Sequence, residues 1–150
     1  MTQTIIFVNS KMYAEVLFEQ LRKASLQVVI IFGKMDNDER DEMIDKFRKG
    51  KIAVIITTNM LARGIDVPEV QIVINFDVPT HYDGSGKRCG DPENYLHRIG
   101  RTGRFGTKGL AITIYDREED ETYLNEILDT YKMRDKCKPL EGPEQLSQLL

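Results

Sequence analysis

At 150 residues the chain has a single-domain length, long enough to bury a substantial core. Its 41% hydrophobic and 30% charged residues exclude a disordered polymer, and no apolar run approaches the roughly 20 residues of a membrane-spanning helix. A net charge of -3 excludes a globally basic nucleic-acid binder, so any contact with nucleic acid has to be local and shared with another surface. Cys89 and Cys137 lie far apart, with no Cys or His at metal-ligand spacing around either. They are expected to be free thiols in a reducing, intracellular setting, and no charged-then-apolar leader opens the sequence.

In chain order, Thr4–Val8 is a short continuous apolar run, the pattern of a strand covered on both faces. Asn9 and Ser10 are suited to cap the helix expected over Met12–Leu26, with Val16, Leu17, Phe18 and Leu21 on its apolar side. A second strand, Gln27–Phe32, ends at Gly33. A helix over Asp36–Lys49 follows, with Met43, Ile44 and Phe47 at helical intervals and Gly50 closing it. Ile52–Ile56, Gln71–Phe76 and Leu110–Tyr115 read as further strands, and Arg117–Tyr131 as a charged helix. Thr80–Asn94 reads as one long irregular connection. The tail from Met133 carries a short helix opened by Pro143, whose leucines 146, 149 and 150 would dock on the body. Apolar strands alternating with helices predict one α/β domain, a parallel sheet with helices on both faces. Such sheets hold ligands at the carboxyl ends of their strands, where Asn9-Ser10, Gly33-Lys34 and Thr57-Thr58 fall.

The most unusual segment is His97-Arg98-Ile99-Gly100-Arg101-Thr102-Gly103-Arg104-Phe105-Gly106. From Asn94 to Tyr115 there is no Asp or Glu, yet Arg98, Arg101, Arg104 and Lys108 are all there. Guanidinium groups fork onto phosphate oxygens and stay charged, and interleaved glycines allow a close backbone approach. If a helix begins at Pro92, glycines 100 and 103 break it and offer Arg101 and Arg104 from a turn. Arginines so placed can stabilise charge on a phosphoryl group in transfer. A solvated basic helix end explains the charges but not the glycines.

Two other segments are ambiguous alone. Thr57–Asp66 ends a buried strand with two hydroxyls and carries Arg63-Gly64 before Asp66, an acid that could accept from a ribose hydroxyl; without the arginine run nearby, a capped short helix with a turn aspartate is the favoured reading. Gly33-Lys34-Met35 with Arg40 could meet a nucleic-acid phosphate, or could be a strand end followed by an Asp36–Arg40 surface pair. Gly84-Ser85-Gly86-Lys87 superficially suggests a phosphate loop but lacks the first glycine and the final hydroxyl. Phosphate-binding arginines without a phosphate loop or a magnesium site amount to half of an active site.

In combination, Ile5–Ser10, Gly33–Phe47, Ile55–Asp66 and Tyr95–Gly106 resemble, in order, the motifs of the second, C-terminal RecA-like domain of DEAD-box RNA helicases. The resemblance runs from Ile5 to about Leu128 and implies roles at matching positions. Arg101 and Arg104 would be arginine fingers to the ATP γ-phosphate. His97, Arg98 and Arg63 would make interdomain contacts. Gly64 and Asp66 would lie near the ribose and Phe105 near the adenine. Ser10, Gly33 and Thr58 would hold the backbone of single-stranded RNA, which carries no sequence information. ATP and Mg2+ would be bound mainly by the chain's own N-terminal RecA-like domain, whose motifs are not in this sequence. The domain alone, a monomer with no membrane contact, is therefore expected to fold without hydrolysing ATP or unwinding RNA.

The longer loop Thr80–Asn94, with Asp83-Gly84 and Asp91–His97, is similar to that of the helicases of messenger-RNA export. There this domain binds an activator protein with inositol hexakisphosphate, at the cytoplasmic face of the nuclear pore. A translation-initiation-type helicase, or a non-catalytic RNA- or activator-binding module, is the alternative.

Overall fold

The computed structural model describes residues 2–58, 70–103 and 108–146. Four-residue strands dominate: β1 (Thr4–Phe7), β2 (Val28–Ile31), β3 (Val54–Thr57), β4 (Ile72–Asn75) and β7 (Leu110–Thr113). They form one parallel sheet in the order β2-β3-β1-β4-β7. The strands are in step, Phe7 opposite Thr57 and Asn75, and Thr57 opposite Ile31. Their carboxyl ends therefore make one level edge.

Alternation along β1 splits the core between the two faces. Ile5 and Phe7 join Ile31, Ile55 and Val73 under α2 (Asn37–Arg48), which contributes Ile44 and Phe47. Ile6 and Val8 join Val28, Val54 and Ile56 under α1 (Lys11–Lys23), which contributes Ala14 with Leu17, Phe18 and Leu21 packed against them. Val16 departs from the expected apolar side: it is 57% exposed, and Met12 is 62% exposed. Each lies two residues, about half-way round the helix, from Ala14, and only the stripe of Ala14, Leu17, Phe18 and Leu21 meets the sheet.

Both helix starts are legible. Asp36 caps α2 by accepting from the amides of Asp38 at 2.9 Å and Glu39 at 3.4 Å. Arg40 bonds Asn37 at 2.5 Å rather than forming the expected surface pair with Asp36. Ser10 opens α1, but its hydroxyl makes no capping hydrogen bond.

The connection expected to be irregular is ordered. Thr80–Tyr82 (β5) and Arg88–Gly90 (β6) pair antiparallel as a hairpin, and Pro92–Ile99 forms α3 directly after it. Asp83 organises the tip, its carboxylate accepting from the Ser85 amide, the Ser85 hydroxyl and the Lys87 amide at 2.8, 2.6 and 3.0 Å. The amides that suggested a phosphate loop are thus taken by the loop's own carboxylate. Gly86, at φ +81°, supplies the left-handed turn. The hairpin rests on α4 (Glu118–Thr130): Gly90 N–H donates to Glu126 at 3.0 Å, and the Arg88 guanidinium lies 5.5 Å from the Tyr123 ring centre. Val78, Tyr95, Ile127 and Leu128 form a third core cluster here. A 3-10 turn at Arg134–Lys136 and a one-turn α5 (Pro143–Leu146) complete the tail, with Leu149 and Leu150 outside the described residues.

Candidate functional site

The chain leaves β1 toward β2 and leaves β4 toward β7, so the adjacent strands β1 and β4 are where the connections diverge. In parallel sheets that divergence opens a crevice at the carboxyl edge, the usual ligand position. Here the crevice is filled by three of the domain's own side chains. Asn9 donates its amide to the Asp77 carboxylate at 2.7 Å and its side-chain NH2 to the Val78 carbonyl at 2.8 Å. Arg98 reaches in from α3, donating to the Asn9 side-chain oxygen at 2.8 Å and the Asp77 carbonyl at 3.1 Å. Its guanidinium also lies 3.7 Å from the Asp77 carboxylate and 5.4 Å from the Phe7 ring centre.

Arg98 is 0% exposed. Burial pulls its pKa down to about 10, against the pull of Asp77 and Asp91 toward the charged form. Burial likewise pushes Asp77 up, opposed by the Asn9 amide and the Arg98 charge. The attraction between the two groups works against the cost of burying each charge. Composition could not reveal this. Within this domain the Arg98 side chain is enclosed and bonded to Asn9 and Asp77.

The carboxyl edge also gathers the three residues expected to hold a nucleic-acid backbone. Ser10 follows β1, Gly33 follows β2 and Thr58 follows β3, at the ends of three strands in register. Beneath Thr58, Thr57 is buried and donates its hydroxyl to the Ile31 carbonyl at 2.8 Å, tying β3 to β2 at that level. The Ser10 hydroxyl, not used as a cap, stands where the amino end of α1 begins.

Arg101 is not at this edge. The helix α3 crosses the sheet and delivers Arg101 and Thr102 to the amino end of β4. There Val70 N–H donates to the Arg101 carbonyl at 3.1 Å. The Thr102 hydroxyl donates to the Val70 and Gln71 carbonyls at 2.6 and 3.0 Å. Gly100 ends α3 as foreseen, and Gly103 takes φ +72°. Gly109 is tightly constrained: a side chain there would run into the Thr102 hydroxyl and the Gly103 backbone. His97 lies half-buried on α3, and its Nδ1 finds no hydrogen-bond partner among the described residues. Arg63, Gly64, Asp66, Arg104 and Phe105 lie outside the described residues. The geometry therefore sets out two stations, a polar carboxyl edge and an arginine-bearing turn at the amino edge, joined by one short helix.

A family profile described as "Helicase conserved C-terminal domain" matches residues 1–106. The chain belongs to this family. Its DEAD-box branch follows from the solved C-terminal domain of the DEAD-box protein Dbp5. That domain is 44% identical with a TM-score of 0.78, over 87% of this chain and 71% of that one. The helicase C-terminal domain is also similar to the ATP-dependent RNA helicase DBP5 of Kluyveromyces lactis, at 49% identity over 79% of this chain and 24% of that protein. Saccharomyces cerevisiae Dbp5 bound to RNA and ADP BeF3 matches 87% of this chain and 32% of that one, with 44% identity and a TM-score of 0.75. A variant of the same protein bound to Nup159, a Gle1 variant, IP6 and ADP matches the same shares at 40% identity and a TM-score of 0.75. The chain spans about a quarter of the length of the curated relative.

Proposed function

We propose that this chain serves as the C-terminal RecA-like half of an ATP-dependent DEAD-box RNA helicase. The observation that carries the proposal is the separation of the two stations on one rigid body. Ser10, Gly33 and Thr58 share the in-register carboxyl edge, and α3 holds the arginine turn at the other end of β4. The first station suits a sugar-phosphate backbone and the second suits the phosphates of a nucleotide held by a partner domain. In this reading Arg101 and Arg104 stabilise charge on the γ-phosphate, Gly64, Asp66 and Phe105 border the nucleoside, and His97 and Arg63 meet the first domain. Among the described residues no three His, Cys, Asp or Glu side chains come together. The donors present fit phosphate oxygens rather than a divalent cation, so Mg2+ and the phosphate loop are assigned to the first domain.

The identity to Dbp5, a relative solved with Gle1, IP6 and Nup159, supports messenger-RNA export at the nuclear pore as the process served. An activator with inositol hexakisphosphate is the corresponding partner. The test is RNA-stimulated ATP turnover in the two-domain protein. Arg101→Ala should lower it by about 10³-fold, with Thr58→Ala instead raising the RNA concentration needed for half-stimulation. An unchanged turnover in the Arg101 variant refutes the finger assignment.

A further inference from the structure

The turn that leads from α1 into β2 carries Arg22-Lys23-Ala24-Ser25-Leu26: two basic residues, a spacer, a serine and an apolar residue. None of these side chains belongs to either station described above. Arg22 and Lys23 close the last turn of α1, and every residue of the segment is exposed, Leu26 at 42%. The helix dipole accounts for two cations at a carboxyl end. It accounts neither for an exposed leucine nor for a serine at φ +63°, in the left-handed region that favours glycine.

The Ser25 hydroxyl makes no hydrogen bond among the described residues, in contrast to that of Ser85, which donates to Asp83 at 2.6 Å. Nor does any carboxylate among the described residues pair with Arg22 or Lys23. The Arg22 guanidinium lies instead 5.5 Å from the Phe18 ring centre. Phe18, Arg22, Leu26 and Val28 line an open depression of about 490 Å³ beside the serine. The turn itself is closed by short-range bonds, the Ser25 N–H to the Arg22 carbonyl at 2.9 Å and the Leu26 N–H to the Leu21 carbonyl at 3.2 Å. Exposed bonds of this kind open locally without disturbing the sheet.

We propose that Ser25 is a phosphorylation site, the acceptor for a serine kinase that reads basic residues ahead of its target. Carboxylates of such a kinase take Arg22 and Lys23, three and two residues before the serine, and an apolar pocket takes Leu26 just after it. Ser25 Oγ attacks the γ-phosphorus of the kinase's ATP. An oxygen–phosphorus bond forms, the bond from that phosphorus to the β–γ bridging oxygen breaks, and ADP leaves. The hydroxyl proton passes to the kinase's carboxylate base. The phosphoserine carries a charge of about -1.5 to -2 at neutral pH, which offsets the two cations and turns a basic helix end into a neutral one.

The test incubates the whole 150-residue chain with ATP, Mg2+ and the catalytic subunit of cyclic-AMP-dependent protein kinase, then maps phosphate by peptide mass spectrometry over time. Ser85 is the internal control, an exposed serine whose basic neighbours Lys87 and Arg88 come after it rather than before. Ser25 should be phosphorylated at least about tenfold faster than Ser85, the difference expected when charge-assisted contacts form at one site only. Arg22→Ala should lower the kinase's kcat/KM on the chain by about tenfold or more, and Arg22→Lys should restore part of it. Ser25→Ala should abolish the fast phase. Unfolding would expose the segment further and raise the rate, so a fall in the Arg22 variant cannot come from a lost fold. Absence of phosphate at Ser25, equal rates at the two serines, or a rate unchanged by Arg22→Ala overturns the proposal.

Discussion

Replacing Arg98 by methionine tests the view that this arginine holds the domain together from inside. Methionine occupies much of the same volume, so the cavity contribution is small and the loss is mainly electrostatic. The substitution removes donors from the Asn9 oxygen and the Asp77 carbonyl and takes the cation from beside the Asp77 carboxylate. Each buried acceptor left without a donor costs about 1–3 kcal/mol, and breaking a buried ion pair from one side costs about 3–5 kcal/mol in all. Against a domain stability of about 5–15 kcal/mol that is a large fraction, equivalent to a drop in Tm on the order of 10 °C.

The assay is urea and thermal unfolding of the chain, with Asp77→Asn and the double variant completing a cycle. Removing both charges leaves no uncompensated ion, so the double variant should recover at least about 2 kcal/mol relative to the sum of the single changes. In Arg98→Met the Asp77 pKa, already raised by burial, rises further. A carboxyl with a raised folded-state pKa favours the fold below its unfolded value and loses that contribution as pH rises through the folded value. The deficit of Arg98→Met should therefore be smaller at pH 4 than at pH 8. A loss under about 1 kcal/mol, or additive single changes, refutes the reasoning.

Three further outcomes follow from particular contacts. Gly90→Ala places a methyl 2.5 Å from the Tyr123 carbonyl and 2.9 Å from Ile127 Cγ1. Denaturant unfolding should show a loss of about 1–3 kcal/mol, with Gly84→Ala, which meets nothing within 4 Å, as the near-neutral control. The hydrogen bonds that Asp83 accepts from Ser85 and Lys87 lower its pKa. Its support of the hairpin tip is thus present above the usual carboxylate range and lost as pH falls through the lowered value. Amide exchange at Ser85 and Lys87 should accelerate there while the central strands stay protected, and uniform protection across that range would contradict the geometry. Gly109→Ala should displace the Thr102 turn and lower ATP turnover in the two-domain protein while leaving RNA affinity within about twofold, since the carboxyl edge is remote from it.

The sheet was legible because each of its five strands is built on a short run of apolar residues, the pattern expected where helices cover both faces. The helices followed from Asp36, Pro92 and Gly100, whose capping chemistry acts over a few residues. The hairpin escaped because Thr-His-Tyr and Arg-Cys-Gly carry no apolar alternation. The signal was present in Asp83-Gly84 and Gly86, turn residues between two segments of three. The enclosure of Arg98 was hidden for a different reason. Sequence shows that it is charged, but not that Asn9 and Asp77, far away along the chain, converge on it. Val16 shows the same limit in reverse, since apolar spacing marks a face without saying how much of it another element covers.

The length of α3 carries a mechanical consequence. Its eight residues span about 12 Å, one strand-length of this thin sheet, with the Asp91 N–H bonded to the Pro79 carbonyl at its amino end and the Thr102 turn bridged to Val70 past its carboxyl end. Fixed at both ends, the helix has no slack to bend or slide. Torque applied along the carboxyl edge turns the arginine end through the same angle, as a crank does. The timing between the two ends is then set by rotation of the whole domain, and a break in the Asp91 anchor would appear as lost synchrony before it appeared as lost binding at either end.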